Sequence, residues 1–319
     1  MKVPGLRQPI NRIMESDPIL HTKSMGVQLQ RLIVDAFECL SPLPRSYLVI
    51  IDGLDECHDK MTQQSILQLL CESIRIHKLP LRFLVGSRPE SHIRDNFDRE
   101  SLYTITNRVV LDETFHPGRD IRIFLRDGFA KICTDNSIMS HVEQPWPGEA
   151  IIDFLVQRSS GQFIYAATVL KFVGADFCSP KKQLALVLKP DPTALSDLDQ
   201  LYAQILSVYP SAVNIVQVLG IIIASKSDSP EVIEDILGME EGELKLVLSG
   251  LSCLMDGNGE RFDEGVISYA IPEFAHTSFR DYLFDSSRSG PFHVNLEEYK
   301  NQVIIRSFAL IMPSIRRWR

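Results

Sequence analysis

Residues 47–57 read YLVIIDGLDEC, an apolar run that ends in an acidic cluster. Its first five residues are apolar and rich in β-branched and aromatic side chains, which is typical of a buried strand in a parallel sheet. Gly53 then allows a turn, and three carboxylates lie within positions 52–56, on Asp52, Asp55 and Glu56. Because α/β sheets bind their ligands at the carboxyl ends of their strands, the sequence predicts a functional site here.

The order of apolar and acidic residues has the form of a Walker B element, hhhhD-x-x-D-E. In such an element the first Asp holds Mg²⁺, directly or through water, and the following acids polarise the water that attacks the γ-phosphate. The alternative interpretation is a strand that merely ends in a solvated acidic turn. Both interpretations stay open until the neighbouring segments are considered.

A second strand is predicted shortly after the first. Residues 64–76 repeat apolar side chains at helical period, Pro80 ends that helix, and residues 81–86 form another short apolar run. Strand, helix and strand in this order make a βαβ unit, which favours a parallel sheet. Arg88 follows the second strand, where a guanidinium can bind a phosphate; the alternative is a surface arginine that pairs with Asp95 or Asp98. A third strand is predicted at residues 108–111.

Length and composition exclude several classes of protein. A chain of 319 residues suggests about two domains, and 45% hydrophobic residues predict a sizeable core. The net charge of −8 does not favour nucleic acid as a partner. Six scattered cysteines show neither zinc-ligand nor disulfide spacing, and the N-terminus lacks the apolar region of a signal peptide. We therefore expect a cytoplasmic protein.

Helical periods dominate after Pro117, with a clear break at Lys189-Pro190-Asp191-Pro192. Ser229 and Pro230 predict the start of a helix, as N-cap and first helical residue. A helix at 243–255, a turn at 256–259, a strand at 266–271, a short helix at 277–283 and a possible strand at 292–294 follow. Helices followed by a small β-wing favour a winged-helix fold, and a last helix is predicted at 296–310.

Taken together, the sequence resembles fungal NACHT proteins, which belong to the STAND class of signalling P-loop NTPases and are NOD-like receptor-like. Five motifs carry the resemblance, in this order: IIDGLDEC at 50–57, LRFLVGSRPE at 81–90, DIRIFL at 120–125, GQFIYAAT at 161–168 and HTSFRDYL at 276–283. The resemblance implies an α/β nucleotide-binding domain, then a helical domain and a winged helix. On this basis we expect a partial NACHT domain at 1–114, a small helical domain at 115–190, a winged helix at 191–295, and the start of a further helical region at 296–319.

The resemblance also implies roles for five residues. Asp52 would be the Mg²⁺ ligand, Asp55 and Glu56 the acidic pair near the attacking water with Glu56 as base, and Arg88 the sensor. His276 stands where the family's winged-helix histidine contacts the β-phosphate of ADP and locks the inactive state. An imidazole can donate to a phosphate, although a helix N-cap neighbour or a core histidine is the alternative.

One essential motif does not occur in the sequence. A P-loop NTPase needs G-x-x-x-x-G-K-[ST], and the Lys23-Ser24 pair has no glycine loop before it. By the family's order this motif would precede residue 1, and its strand would pair with the strand at 81–85. We therefore expect either a fragment of a longer protein or a short form that has lost nucleotide chemistry, and in both cases an unpaired sheet edge.

Two functions remain in competition. The first is an ADP/ATP-switched signal-transduction module of the fungal non-self-recognition type, with Mg²⁺ as cofactor and with impaired nucleotide binding and hydrolysis. The second is a non-enzymatic interaction module whose partners are proteins, either further copies of itself or full-length NACHT relatives. A DNA-binding winged helix is disfavoured because the helix at 277–283 carries Arg280 as its sole base, and membrane partners are not expected. A hydrolase that uses the three carboxylates without a P-loop lacks any further recognisable group.

Overall fold

The structure is a computed structural model that describes residues 5–40, 46–57, 59–77, 79–175, 178–189, 195–208, 215–225, 227, 229–256, 260–263 and 266–316. The chain is mostly helical and contains a small two-stranded parallel sheet. It divides into two compact units, residues 1–110 and 111–319, which we call unit 1 and unit 2. None of the helices in the described ranges combines the length and hydropathy needed to cross a membrane.

Unit 1 contains the predicted βαβ arrangement. Strand β1 (Tyr47–Ile51) and strand β2 (Leu81–Val85) pair in parallel, with Tyr47 opposite Leu81 and Ile51 opposite Val85. The helix between them begins after Asp59, whose carboxylate accepts a hydrogen bond from the backbone N–H of Thr62. The helices of unit 1 are α1 (Arg7–Ser16), α2 (Met25–Leu29), a π-helical segment (Gln30–Asp35), α3 (Ala36–Glu38), α4 (Lys60–Arg75), α5 (Ser91–Phe97) and α6 (Glu100–Tyr103).

Two small apolar clusters hold unit 1 together. One cluster joins Leu54 to residues of α4, α5 and α6, including Leu67 and Ile93. The other packs α1 and α3 against Leu81, with Tyr47, Val49 and Phe83 at its border. The inward-facing residues of both strands therefore have partners, whereas their alternate residues Leu48, Ile50 and Leu84 stay exposed.

The prediction of a third strand at residues 108–111 is wrong. These residues form no regular element, and Val109, Val110 and Leu111 are exposed. Arg108 instead forms an ion pair with Asp98 and lies over the ring of Phe97. Because β-propensity reflects packing against neighbouring strands, a segment that pairs with no described strand does not become one.

Unit 2 is built from helices around one continuous core. This core runs from Ile121 to Val294 and includes fully buried residues such as Leu125, Phe129 and Tyr282. The helices are α7 (Pro117–Asp135), α8 (Glu149–Ser159), α9 (Phe163–Val173), α10 (Pro180–Val187), α11 (Asp197–Ser207), α12 (Ile215–Ser225), α13 (Pro230–Leu237), α14 (Glu243–Gly250), α15 (Thr277–Phe284), α16 (Ser286–Ser289) and α17 (Leu296–Arg316).

Four short strands accompany these helices. Strand β3 (Met255–Asp256) pairs antiparallel with β6 (Glu273–Phe274), and β4 (Glu260–Asp263) pairs antiparallel with β5 (Val266–Tyr269). The predicted strand at 292–294 is wrong, because Phe292 ends a 3-10 turn (Gly290–Phe292) and the N–H groups of His293 and Val294 donate to the carbonyls of Gly290 and Leu283. The turn at 256–259 lies largely outside the described residues. The finer division at 190 and 295 stays a prediction, and the core includes residues from both predicted segments.

Candidate functional site

The carboxylates that follow β1 are held by a compact turn. Gly53 adopts φ +68°, a left-handed conformation that L side chains rarely adopt, and a 3-10 turn (Leu54–Glu56) follows. Leu54 is fully buried and anchors this turn in the core of unit 1. Asp52 and Glu56 are exposed on either side of it, whereas the side chain of Asp55 is only 9% exposed. The Glu56 side chain folds back over Gly53, where an added Cβ would lie 3.0 Å from its Cδ.

Backbone hydrogen bonds join the ends of the two strands. The N–H of Gly86 donates to the carbonyl of Ile51 at 2.8 Å, and the N–H of Leu54 donates to the carbonyl of Gly86 at 3.1 Å. A Cβ at position 86 would lie 2.8 Å from Oδ1 of Asp52, so a side chain there would displace the Asp52 carboxylate. Glycine at this position therefore leaves the space that the Asp52 carboxylate occupies.

Asp55 and Arg88 form the best-defined contact of the site. The backbone N–H of Arg88 donates to Oδ1 of Asp55 at 2.9 Å, and the guanidinium Nε lies 3.4 Å from Oδ2. Ser87 adds a hydrogen bond from its Oγ to Oδ1 at 3.2 Å. Arg88 thus pairs with the acidic turn rather than with Asp95 or Asp98. Both oxygens of Asp55 are used in fixing the segment that follows β2.

Two residues that the sequence did not single out stabilise the acidic turn through side-chain hydrogen bonds. Gln63 on α4 donates from Nε2 to the carbonyls of Asp55 at 3.0 Å and Cys57 at 2.9 Å. Its Oε1 accepts a hydrogen bond from Nε2 of His92 on α5, which places the turn and both helices in one network. Gln63 lies four residues before Leu67 and is buried on the same face of α4. A polar residue at this helical spacing from an apolar one was the signal available in the sequence, because buried polar groups need hydrogen-bond partners.

His276 belongs to unit 2 and is the N-cap residue of α15. Its Nδ1 accepts a hydrogen bond from the backbone N–H of Ser278 at 3.1 Å and lies 2.6 Å from the Ser278 hydroxyl. That hydroxyl in turn lies 2.8 Å from the hydroxyl of Tyr202, and burial raises the pKa of Tyr202 to about 12. Because Nδ1 acts as an acceptor, a neutral ring carries its proton on Nε2. His276 therefore caps α15 through Nδ1, and its assignment as a phosphate ligand stays a prediction.

The five predicted site residues are thus placed as follows. Asp55 and Arg88 are in direct contact, and Asp52 and Glu56 lie at the same end of the sheet. Their assigned roles stay predictions. Within the part of the chain that the structure describes, no group of three or more His, Cys, Asp or Glu side chains is arranged to hold a metal ion. A hard cation here would therefore rely on Asp52, with its other oxygen ligands supplied by water or by a phosphate.

Comparisons with known proteins give one finding about the family. No curated protein and no solved structure matches the chain. The family model described as nephrocystin 3, N-terminal, matches residues 1–88. The matched segment contains β1, the acidic turn, α4, β2 and Arg88. Over residues 1–88 the chain is similar to the N-terminal region of nephrocystin 3.

Proposed function

We propose that unit 1 supplies the Walker B and sensor half of a NACHT-type NTPase of the STAND class, in a signal-transduction module switched by ADP and ATP. The observation that carries this proposal is the contact between Asp55 and Arg88. It ties the acidic turn after β1 to the sensor position after β2, at the carboxyl end of a parallel pair of strands. Ligands of α/β sheets bind at this end.

The residues at this end of the sheet could bind the Mg²⁺ and the terminal phosphate of a nucleotide. Asp52 is exposed and has space beside Gly86, as a ligand of a hard cation requires. Mg²⁺ would supply charge neutralisation for the phosphates when bound. Glu56 is exposed and is assigned as the base, and the Asp55 oxygens accept hydrogen bonds from Ser87 and Arg88. In this assignment Asp55 orients Arg88, and Arg88 binds the terminal phosphate.

In the same proposal, unit 2 supplies the helical and winged-helix part of the switch. The order of α12, α13, α14, the short antiparallel strands and α15 supports this assignment. His276, the N-cap residue of α15, is the residue of unit 2 to which this proposal assigns contact with a phosphate. Exchange of ADP for ATP would then change the state of the module.

Calorimetric titration of the full chain with ADP, with and without Mg²⁺, tests the proposal. The sequence lacks the G-x-x-x-x-G-K-[ST] cradle. We therefore expect weak, magnesium-dependent binding with a Kd on the order of 1 mM, or roughly −4 kcal/mol. Asp52→Asn removes the charge that would hold the cation and should abolish the magnesium-dependent part. Asp98→Asn is the matched control, since Asp98 is an exposed aspartate of the same unit that pairs with Arg108.

Two results would argue against this assignment. ADP binding that does not depend on Mg²⁺ would show that Asp52 is not a cation ligand. An Asp52→Asn variant that binds ADP as tightly as the parent chain would show the same. A Kd in the micromolar range would show instead that the residues of this chain suffice without a P-loop.

A second candidate function is a non-enzymatic interaction module that regulates full-length NACHT relatives. The observation that favours it is the exposure of apolar strand residues Leu48, Ile50 and Leu84 in unit 1. Contiguous apolar surface that stays exposed marks sites of protein association. Purification together with a full-length NACHT protein, lost in Leu84→Lys, would support it, and failure of the purified proteins to associate would exclude it.

A further inference from the structure

One face of the two-stranded sheet is uncovered. Leu48 is 60% exposed, Ile50 66% and Leu84 56%, although all three lie within β1 and β2. Parallel strands are normally buried on both faces, because their stability depends on apolar layers above and below. Among the described residues, none forms the second layer that such a sheet needs on this face.

The uncovered face also carries two opposite charges, one at each end. Arg82 shares the parity of Leu84 along β2 and stands opposite Leu48 in the register. Asp52 shares the parity of Leu48 and Ile50, and its carboxylate lies where a Cβ of residue 86 would point. We call the surface formed by Leu48, Ile50, Asp52, Arg82 and Leu84 the bare face.

The charges are spaced symmetrically about the centre of the bare face. Ile50 stands opposite Leu84 at the centre of the bare face, Arg82 lies two residues before that level, and Asp52 lies two residues after it. A rise of about 3.3 Å per residue places each charge roughly 7 Å from the centre. If the face is turned by 180° about an axis across the strands, the level of Arg82 coincides with the level of Asp52.

We propose that the bare face packs against the bare face of a second copy of this chain, with the strands of the two copies antiparallel. Ile50 and Leu84 would form the centre of the contact, and Arg82 of each copy would pair with Asp52 of the other. Such a contact is isologous, so each interaction occurs twice. Packed sheets lie about 10 Å apart, and the long arginine side chain can span that separation.

This association does not depend on the nucleotide proposal, and the two would compete. Asp52 is covered in the dimer and is then unable to serve as a cation ligand. A different protein on the bare face would leave the chain itself monomeric. Measurement of the oligomeric state therefore separates the two occupants, independently of any binding of ADP.

Sedimentation velocity of the full chain over a range of concentrations tests the proposal, with a monomer–dimer equilibrium as the expected result. Arg82→Asp places four carboxylates in the contact, and Asp52→Arg places four guanidinium groups there. Each variant should weaken dimerisation about tenfold or more, because like charges then face each other. An equimolar mixture of the two variants should restore a dimer, since each copy now carries the charges that complement the other.

Controls and a second variant keep the result interpretable. Leu84→Lys should also abolish the dimer, and its exposed position in the monomer makes it compatible with folding. Arg12→Asp and Met61→Lys change exposed residues on α1 and α4 and should leave dimerisation unchanged. A chain that stays monomeric at every concentration would overturn the proposal. Single variants that dimerise like the parent, or a mixture that stays monomeric, would overturn it as well.

Discussion

The two units bury their apolar residues to very different extents. In unit 2 one continuous cluster covers Leu125, Phe129 and Tyr165 almost completely. In unit 1 the apolar residues form two small clusters, and alternate residues of the strands stay exposed. An apolar run in a sequence thus states which residues favour burial, whereas the number of layers in the fold decides whether they achieve it.

The same contrast appears in the polar groups. Unit 1 uses a buried carboxylate and the Gln63 side chain to fix a turn that faces solvent. Unit 2 uses polar groups within its core, where Arg288 binds the 3% exposed Asp199 through its guanidinium and Tyr202 contacts Ser278. Polar networks in unit 1 position exposed groups, and those in unit 2 join helices that are already packed.

The largest expected difference in stability is between two leucine-to-alanine variants, one in each unit. Leu125→Ala in α7 should lower the free energy of unfolding of unit 2 by about 2–5 kcal/mol, because it opens a cavity in a fully buried site. Leu84→Ala in β2 should cost less than about 0.5 kcal/mol in the monomer, since Leu84 is already 56% exposed. Urea unfolding at low protein concentration measures both. Similar losses in the two variants would contradict the described difference in burial.

A smaller effect is expected where glycine permits close packing of helices. At Gly220 in α12 an added Cβ would lie 2.4 Å from the ring of Tyr299 in α17. Gly220→Ala should therefore destabilise unit 2 by about 1–3 kcal/mol, although alanine favours the helix itself. Gly26→Ala in α2 of unit 1 is the matched control, because its nearest neighbour would be 3.8 Å away. Thermal unfolding should show a lower Tm for the first variant and an unchanged or higher Tm for the second.

The sequence predicted the position of the site better than its internal contacts. Apolar period and the turn residues placed β1, α4 and β2, and parallel pairing then required that Asp52 and Arg88 lie at the same edge. The pairing of Arg88 with Asp55 depends on the left-handed Gly53 and the 3-10 turn after it. Sequence spacing does not determine that geometry, so Asp95 and Asp98 were equally acceptable partners.

The local structure of residues 108–111 and of His276 depends on tertiary contacts, which the sequence did not predict. Residues 108–111 have strong β-propensity, yet no described strand lies beside them to form a ladder. His276 caps α15, a contact that the motif alone did not predict, and its role toward a phosphate stays a prediction. In both places the local structure depends on which groups are adjacent in space, which a single sequence does not state.

The smallest expected effect concerns two buried tyrosines of unit 2. Burial raises the pKa of both Tyr165 and Tyr202 from 10.0 to about 12. Below pH 10 the folded and unfolded states both keep the phenol proton. The contribution of the raised pKa to the free energy of unfolding is therefore fully present there. Between pH 10 and about 12 the unfolded state releases the proton first, and the free energy of unfolding falls as the pH rises.

The two hydroxyl groups differ in their hydrogen bonds, and this difference can be measured. Tyr202 contacts Ser278 at 2.8 Å, whereas the Tyr165 hydroxyl is buried with no hydrogen-bond partner among the described residues. At pH 7 Tyr202→Phe should cost about 1 kcal/mol, and Tyr165→Phe should be close to neutral or slightly stabilising. In each variant, the loss of stability at alkaline pH should correspond to the release of one proton fewer. Urea unfolding at pH 7 and at pH 11 checks both statements, and a large loss for Tyr165→Phe at pH 7 would mean that its hydroxyl has a partner after all.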